Sequence, residues 1–413
     1  MSKPKVRFKK FTNDWEQRKL GEVVERVTRK NQDLVSELPL TISAQYGLID
    51  QNEFFDKRVA SKDVSGYYLI KNGEFAYNKS TSTDAPWGAI KRLDRYENGV
   101  LSTLYIVFRI KQNAPINSDF LVSYYATNLW HKGIHEIAAE GARNHGLLNI
   151  APNDFFDTKL TIPQDIDEQY KIGRYFNALE ACITLHQRKC DDLRKLKKYM
   201  LQKMFSQNGT NVPEIRFSGF TDAWEQRKVT DLGEIYIGLV TTMTEHYTNQ
   251  GHLLIRNSDI KDGYFEFGEN PIYLDEEFSK QNKSRMHQLG DVITVHTGDI
   301  GTSAVIGENE ANSIGFATIV TRPNQEILDS NYFATYLNTD THKQWAISMA
   351  TGDGRSNYNL KDYTKLVVPI PEIEEQKKIA TSIVNLNTII TLHQHKCDEL
   401  KKLKNFMLHN MFV

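Results

Sequence analysis

Residues 183–205 read ITLHQRKCDDLRKLKKYMLQKMF, and residues 390–412 read ITLHQHKCDELKKLKNFMLHNMF. Almost every position of the two stretches matches at one constant offset. Apolar side chains recur at the three- and four-residue spacing of a helix, and the seven-residue steps from Leu179 to Met200 are those of a coiled coil. The pattern therefore predicts a long helix that occurs twice in the chain.

Both predicted helices begin after an Ile-Pro pair, Ile162-Pro163 in the first copy and Ile370-Pro371 in the second. Acidic residues follow each pair, where they suit the positive end of a helix dipole. The apolar stripe of each helix has to be buried, either against the other copy or against the preceding part of the chain. We expect the two helices to pair, and to run antiparallel because an internal twofold would relate them.

A second repeat lies upstream of each helix. Residues 4–19 read PKVRFKKFTNDWEQRK, and residues 213–228 read PEIRFSGFTDAWEQRK. The order of segments is therefore A–B–A′–B′, with a period far longer than that of a solenoid. Short β-rich runs and helical stretches alternate within A and A′, which predicts an α+β fold. The strand-like runs are 75–77, 104–110, 291–295 and 318–322, and the helical stretches are 120–128 and 332–337. The predicted boundaries are 1–161 for the first domain, 162–206 for the first helix, 207–369 for the second domain and 370–413 for the second helix.

The composition of the chain indicates the kind of protein but does not identify its function. A net charge of -1 neither supports nor excludes nucleic-acid binding, because phosphate contact requires a local cluster of Lys and Arg. Three cysteines argue against a disulfide framework and fit a reducing compartment. No apolar stretch is long enough to cross a bilayer. We therefore expect a soluble, cytoplasmic protein without membrane contact.

Several motifs resemble those of the Type I restriction-modification specificity subunits. The two Trp-Glu-Gln-Arg-Lys openings are similar to the start of that family's target recognition domains, and the two Ile-Pro-x-x-x-x-Glu-Gln helix starts are similar to its spacer regions. The resemblance covers nearly the whole chain and includes the order of its domains. Further similar motifs lie at 78–80, 88–93, 101–103, 143–147, 290–293 and 297–298.

The resemblance implies two α/β target recognition domains that alternate with two long helices, paired as an antiparallel coiled coil. Each domain would read one half of a split, asymmetric site in double-stranded DNA. The helices would set the distance between the half-sites and dock two modification (methyltransferase) subunits, which two restriction/translocase subunits can join. S-adenosylmethionine, ATP and Mg²⁺ would then be used by the partner subunits, and this chain would hold no cofactor and no metal.

Polar loops that follow the predicted strands supply the candidate DNA contacts. Arg can form two hydrogen bonds with guanine, and Asn can do so with adenine. Gln45-Tyr46 and Arg256-Asn257 follow strand-like runs at matching places in the two domains. For each residue, a solvated loop side chain is the alternative. The candidates are Gln45, Tyr46, Lys79, Ser80, Thr81, Thr83, Arg143, Asn144, His145, Arg256, Asn257, His296, Thr297, Arg355, Ser356 and Asn357.

Signals for catalysis are weak. The run Asn270–Tyr273 differs by one residue from the Asn-Pro-Pro-Tyr loop of amino-methyltransferases, but no Gly-rich cofactor loop accompanies it and the chain has no P-loop. The run Glu375–Lys377 fits a nuclease Glu-x-Lys pattern only superficially. The sequence therefore predicts a non-catalytic reader of DNA. A self-contained DNA adenine methyltransferase and a coiled-coil scaffold that does not bind DNA are the alternatives.

Histidine and cysteine residues, which can bind metal ions, lie in the middle of both predicted helices. His186 and Cys190 are four residues apart, and His393 and Cys397 repeat the spacing. Two His and two Cys form a zinc-like ligand set, but neither half has the short spacing of a zinc finger. A small buried polar layer in the helix seam is the favoured interpretation.

Overall fold

The computed structural model describes residues 3–43, 46–57, 59–83, 85–138, 143–144, 146–206, 210–350 and 357–413. The chain divides into two compact units. Unit 1 comprises residues 1–185 and 396–413, and unit 2 comprises residues 186–395. Each long helix therefore contributes one part to each unit. Within the described ranges, the helices are too short or too polar to cross a bilayer.

Unit 1 combines a small antiparallel sheet with short helices. Its central sheet has the strand order β2-β9-β6-β7. The elements are β1 (Glu16–Lys19), α1 (Leu20–Val23), β2 (Val24–Arg26), β3 (Leu40–Ser43), β4 (Gly47–Asp50), α2 (Gln51–Phe55), β5 (Tyr68–Lys71), β6 (Phe75–Asn78), β7 (Ala89–Arg92), β8 (Asn98–Leu101), β9 (Ile106–Ile110), α3 (Ser118–Tyr125), α4 (His131–Ile137), β10 (Arg143–Asn144), β11 (Leu147–Leu148), α5 (Pro152–Asp157), β12 (Lys159–Ile162) and the start of α6 (Ile166–Lys203).

Unit 2 has a central sheet of the corresponding order, β14-β23-β20-β21. Its strands and helices, after the end of α6, are β13 (Glu225–Lys228), β14 (Gly233–Ile237), β15 (Tyr247–Thr248), β16 (His252–Arg256), β17 (Ile260–Lys261), β18 (Tyr264–Phe265), β19 (Tyr273–Leu274), α7 (Glu276–Gln281), β20 (Val292–Thr294), β21 (Ser303–Val305), β22 (Ile314–Phe316), β23 (Ile319–Pro323), α8 (Ser330–Leu337), α9 (Asp340–Met349), α10 (Leu360–Tyr363), β24 (Val367–Ile370) and the start of α11 (Ile373–Met411).

The repeated Trp-Glu-Gln-Arg-Lys motif forms the strand that closes each domain. In unit 1, β1 pairs antiparallel with β12, so that Glu16 lies opposite Ile162. In unit 2, β13 pairs in the same way with β24. The tryptophan that precedes each strand, Trp15 or Trp224, is buried in the core of its unit. The motif therefore ties the start of each domain to the residues directly before its long helix.

A buried ion pair anchors each helix start to the upstream repeat. The Arg7 guanidinium donates to both carboxylate oxygens of Glu168 at 2.6 and 2.8 Å. Arg216 does the same with Glu375 at 2.7 and 2.8 Å. The two carboxylates are 1% and 0% exposed. The position of these acids in the first helical turn suits the helix dipole, but the local sequence pattern does not reveal their long-range arginine partners.

The glutamine that follows each buried glutamate also bonds to its own unit. Gln376 accepts a hydrogen bond from the Asp329 amide at 2.9 Å and donates one to the Pro371 carbonyl at 2.9 Å. Gln169 makes the corresponding bonds with the Asn117 amide and the Pro163 carbonyl, each at 2.8 Å. The Glu-Gln pair is therefore a structural joint, and this role accounts for the nuclease-like pattern at its second copy.

The long helices pair antiparallel, as predicted. In unit 1 the Phe176 ring of α6 packs on Phe412, which directly follows α11, with ring centroids 5.8 Å apart. Further along α6, Glu180 forms an ion pair with Lys404, which lies earlier in α11. The same reversal holds in unit 2, where His186 contacts His393 and Cys190, further along α6, contacts the earlier Ile390. The predicted α+β fold with two paired helices is confirmed.

A polar contact interrupts the helix seam in unit 2. The Nδ1 atoms of His186 and His393 lie 2.8 Å apart and share a hydrogen bond, and the Cys190 thiol is 3.6 Å from the Ile390 carbonyl oxygen. These contacts are those of a polar layer between helices. In the part of the chain that the structure describes, no three His, Cys, Asp or Glu side chains are grouped as metal ligands.

Candidate nucleic-acid interface

In unit 1 the loop after β6 packs against the β10–β11 hairpin. Ser80 forms a β-bridge with Leu147, and the Leu148 amide donates to the Lys79 carbonyl at 3.0 Å. The Thr81 amide donates to the Gly146 carbonyl at 2.6 Å. Two polar loops that are far apart in the sequence therefore lie side by side.

The structure describes some of the other candidate DNA-contact residues of these two loops. Ser80 and Thr83 are exposed, whereas Thr81 is half-buried and its hydroxyl donates to the Gly146 carbonyl at 3.0 Å. The backbone of Arg143 and Asn144 belongs to the hairpin. His145 lies outside the described residues, as do the side chains of Arg143 and Asn144.

Lys79 lies in a basic environment that the sequence did not single out. Its ammonium donates to the Ile150 carbonyl at 3.4 Å. Burial, and then the nearby Arg26 guanidinium, lower the pKa of Lys79. Arg26 itself is exposed at the end of β2. Two cations brought together beside a polar loop suit a phosphate or a base acceptor, and no sequence motif marks Arg26.

In unit 2 the segment after β20 forms a corresponding cluster. Thr297 forms a β-bridge with Asn357, and the Tyr358 amide donates to the His296 carbonyl at 2.9 Å. The Thr297 hydroxyl donates to Asn357 Oδ1 at 2.7 Å and lies 2.7 Å from His296 Nδ1. All three side chains are half-buried and keep access to solvent. Arg355 and Ser356 lie outside the described residues.

The two clusters occupy the same place in the two sheets. Strands β6 and β20 each hold the third position of a four-stranded sheet. The bridge of Ser80 with Leu147 therefore corresponds to the bridge of Thr297 with Asn357. By the same register, Lys79 corresponds to His296. The sequence did not reveal this equivalence, because the two loops share no residues beyond their polarity.

Arg256 and Asn257 are held by bonds within unit 2. The Arg256 guanidinium donates to both carboxylate oxygens of the buried Asp259, at 2.9 and 3.1 Å. Asn257 Oδ1 accepts from the His296 amide at 2.7 Å, and its Nδ2 donates to the Ala317 carbonyl at 3.2 Å. Asn257 therefore supports His296, and DNA contact by either side chain stays a prediction.

Tyr46 is separated from the other unit 1 candidates. It is 65% exposed and lines a cavity of about 250 Å³ together with Phe75, Lys91 and Lys404. Phe75 begins β6, whereas Lys79 follows the end of that strand. Tyr46 and the Lys79 loop therefore lie toward opposite ends of β6. Gln45 lies outside the described residues.

Gly88 is required where β7 approaches the carbonyl that precedes Lys79. Its φ is +76°, and a Cβ there would lie 2.1 Å from the Asn78 carbonyl oxygen. Gly73 has a φ of +83° but open space around it. We expect Gly73→Ala to lower the free energy of unfolding by about 1 kcal/mol through backbone strain, and Gly88→Ala by about 3–4 kcal/mol because overpacking is added.

Chemical denaturation of the two alanine variants, followed by tryptophan fluorescence, measures this difference. Equal losses at the two positions would show that the Asn78 carbonyl can move away, and the tight approach at Gly88 would then not stabilise the Lys79 loop.

Comparison with known proteins finds relatives over most of the chain. The family model of the Type I restriction modification DNA specificity domain matches residues 221–402. The Type I restriction enzyme EcoBI specificity subunit of Escherichia coli is 26% identical over 133 residues, which span 32% of this chain and 28% of that protein. The Type I restriction enzyme MjaVIII specificity subunit of Methanocaldococcus jannaschii is 19% identical over 406 residues, which span 96% of this chain and 91% of that protein.

A solved structure extends the similarity to the fold of the whole chain. The crystal structure of the Type I restriction-modification S subunit from M. genitalium superposes with a TM-score of 0.64 at 13% identity, covering 100% of this chain and 99% of that one. At this identity the likeness concerns the fold. The matched domain and the full-length relative make the chain similar to the specificity subunits of Type I restriction-modification systems, which are non-catalytic subunits.

Proposed function

We propose that each unit reads one half of a bipartite, asymmetric site in double-stranded DNA through its loop cluster. One observation carries this proposal: the two clusters occupy the same place in their sheets and differ in their side chains. Unit 1 presents Lys79 and Ser80 where unit 2 presents His296 and Thr297. Two unlike half-sites can be read by equivalent loops that carry different polar groups, because base edges are distinguished by their donors and acceptors.

We also propose that the long helices dock two modification subunits. Both helix copies leave apolar side chains exposed at the same repeat positions. Tyr199 in unit 2 is 49% exposed, and its repeat partner Phe406 in unit 1 is 57% exposed. Two equivalent faces suit two copies of one partner. The remaining repeated pairs are Leu185 with Leu392 and Leu196 with Leu403.

Two restriction/translocase subunits would join this complex in the cytoplasm. In this proposal S-adenosylmethionine, ATP and Mg²⁺ are bound and used by the partner subunits. This chain then contributes recognition and geometry, and the partners contribute the chemistry.

A methylation assay tests the proposal. The purified chain alone should transfer no methyl group to DNA, and it should direct methylation to a split motif once the modification subunit is added. Exchange of residues 1–161 for those of a relative should change one half of the motif, as read by methylome sequencing. Methyl transfer by the chain alone would favour a self-contained methyltransferase, and a motif that does not depend on this chain would favour a scaffold.

A further inference from the structure

A hydrogen-bonded chain of three side chains fixes the proton positions in the unit 2 cluster. The Thr297 hydroxyl carries one proton, which it donates to Asn357 Oδ1 at 2.7 Å. Its 2.7 Å contact with His296 Nδ1 must therefore be a bond that it accepts. The imidazole proton then resides on Nδ1. Among the described residues, His296 Nε2 is then left as an acceptor and Asn357 Nδ2 as a donor.

The surroundings hold His296 in this neutral state. Burial lowers the pKa of His296 below its ordinary value, which is about 6.5, so the ring is uncharged at neutral pH. The backbone on both sides is fixed, because the His296 amide donates to Asn257 and the His296 carbonyl accepts from Tyr358. The ring therefore presents a positioned acceptor at a half-buried surface.

An acceptor on a DNA-reading surface selects among the bases. In the major groove, hydrogen-bond donors are found only on the exocyclic amino groups, adenine N6 and cytosine N4. Guanine N7 and O6 and thymine O4 are acceptors, and they would face the His296 Nε2 lone pair unfavourably. Asn357 Nδ2 is the donor at the other end of the hydrogen-bonded side chains. It suits a guanine or thymine acceptor on the same or a neighbouring base pair.

Resting on the DNA-reading role proposed above, we propose that His296 Nε2 reads an amino base, adenine or cytosine, at one position of the half-site bound by unit 2. Thr297 and Asn357 are the positioning residues that set its tautomer. Unit 1 has Lys79 at the equivalent place, and an ammonium is a donor only. The same position in unit 1 therefore suits a base acceptor or a phosphate. The two units thus prefer different DNA groups at the equivalent positions of Lys79 and His296.

Base analogues test the proposal on the unaltered protein. The complex of this chain with its modification subunit is bound to its own target DNA. Each adenine of that DNA is replaced in turn by purine deoxyriboside, which lacks the 6-amino group. Each cytosine is replaced in turn by pyrimidinone deoxyriboside, which lacks the 4-amino group. We expect one position of the unit 2 half-site, other than the methylated adenine, to lose about 10-fold in affinity, equivalent to about 1.4 kcal/mol. If no such position responds, the proposal is wrong.

Two variants of His296 then assign the contact. His296→Lys installs the residue of unit 1, and we expect the preference at the responsive position to shift toward guanine or thymine. His296→Gln keeps an acceptor, and we expect it to retain adenine or cytosine. Methylome sequencing reads both outcomes, and the motif half bound by unit 1 should not change. An unaltered motif and rate for His296→Lys would overturn the assignment.

The Asn357→Asp variant distinguishes the role of the His296 acceptor from that of the Asn357 donor. The carboxylate still accepts from Thr297 but removes the outer donor, so we expect the amino-base position to be kept and a second, neighbouring position to lose selectivity. Loss at the amino-base position alone would place the acceptor on Asn357 and overturn the stated polarity. If the unaltered complex selects no motif at all, the proposed function has failed, which is a different result from any of these.

Discussion

Replacement of Arg216 by Met is expected to lower the free energy of unfolding by about 3 kcal/mol, because breaking a buried ion pair leaves a carboxylate without its counter-ion. Glu375 is fully buried, and the Arg216 guanidinium bonds to both of its oxygens. After the substitution, the side-chain donor that remains to Glu375 among the described residues is the Trp224 indole at 3.2 Å. The measurement is chemical denaturation followed by tryptophan fluorescence, with a thermal midpoint about 10 °C lower as the second readout.

Matched variants separate the buried charge from the lost contacts. The double variant Arg216→Met with Glu375→Gln should recover most of the loss, because no charge is then left buried. Arg7→Met in unit 1 should reproduce the effect, since Arg7 makes the corresponding pair with Glu168. Lys280→Met breaks an ion pair whose side chains are both 72% exposed and should change nothing measurable. Equal losses for Arg216→Met and Lys280→Met would contradict the anchoring role.

Substitution of one exposed aromatic on each helix should remove one modification subunit at a time. Phe406→Glu or Tyr199→Glu places a charge at an exposed apolar position, and a charge buried without a partner is strongly unfavourable in an interface. We expect each single variant to bind one copy of the modification subunit with affinity lowered by about 30-fold or more. The double variant should bind neither copy and direct no methylation. Native mass spectrometry of the assembled complexes counts the copies.

Neighbouring positions supply the control for this experiment. Asn405 is exposed and directly precedes Phe406, so Asn405→Glu introduces the same charge without removing an apolar side chain. We expect it to leave both copies bound. Two bound copies in the Phe406→Glu and Tyr199→Glu double variant would mean that these helix faces do not dock the partner.

The features that the sequence determined by itself are those with a local or repeated signal. The spacing of apolar residues predicted both long helices, since a helix places residues three and four apart on one face. The predicted strands at 75–77, 104–110, 291–295 and 318–322 and the helical stretches at 120–128 and 332–337 are present with shifted ends, as β6, β9, β20, β23, α3 and α8. The duplication and the family motifs were visible because matching residues recur at constant offsets.

Only the tertiary structure decided which polar groups meet. Glu168 and Glu375 were predicted only as first-turn acids that suit a helix dipole, yet each is buried and paired with an arginine that lies far away in the sequence. Asn257 was predicted to contact DNA, and the structure adds that it supports the His296 backbone. The pairing of His296 and Thr297 with Asn357 depends on how β20 registers with a segment beyond α9. Such register is set by side-chain burial summed over the whole unit, and no local sequence pattern contains it.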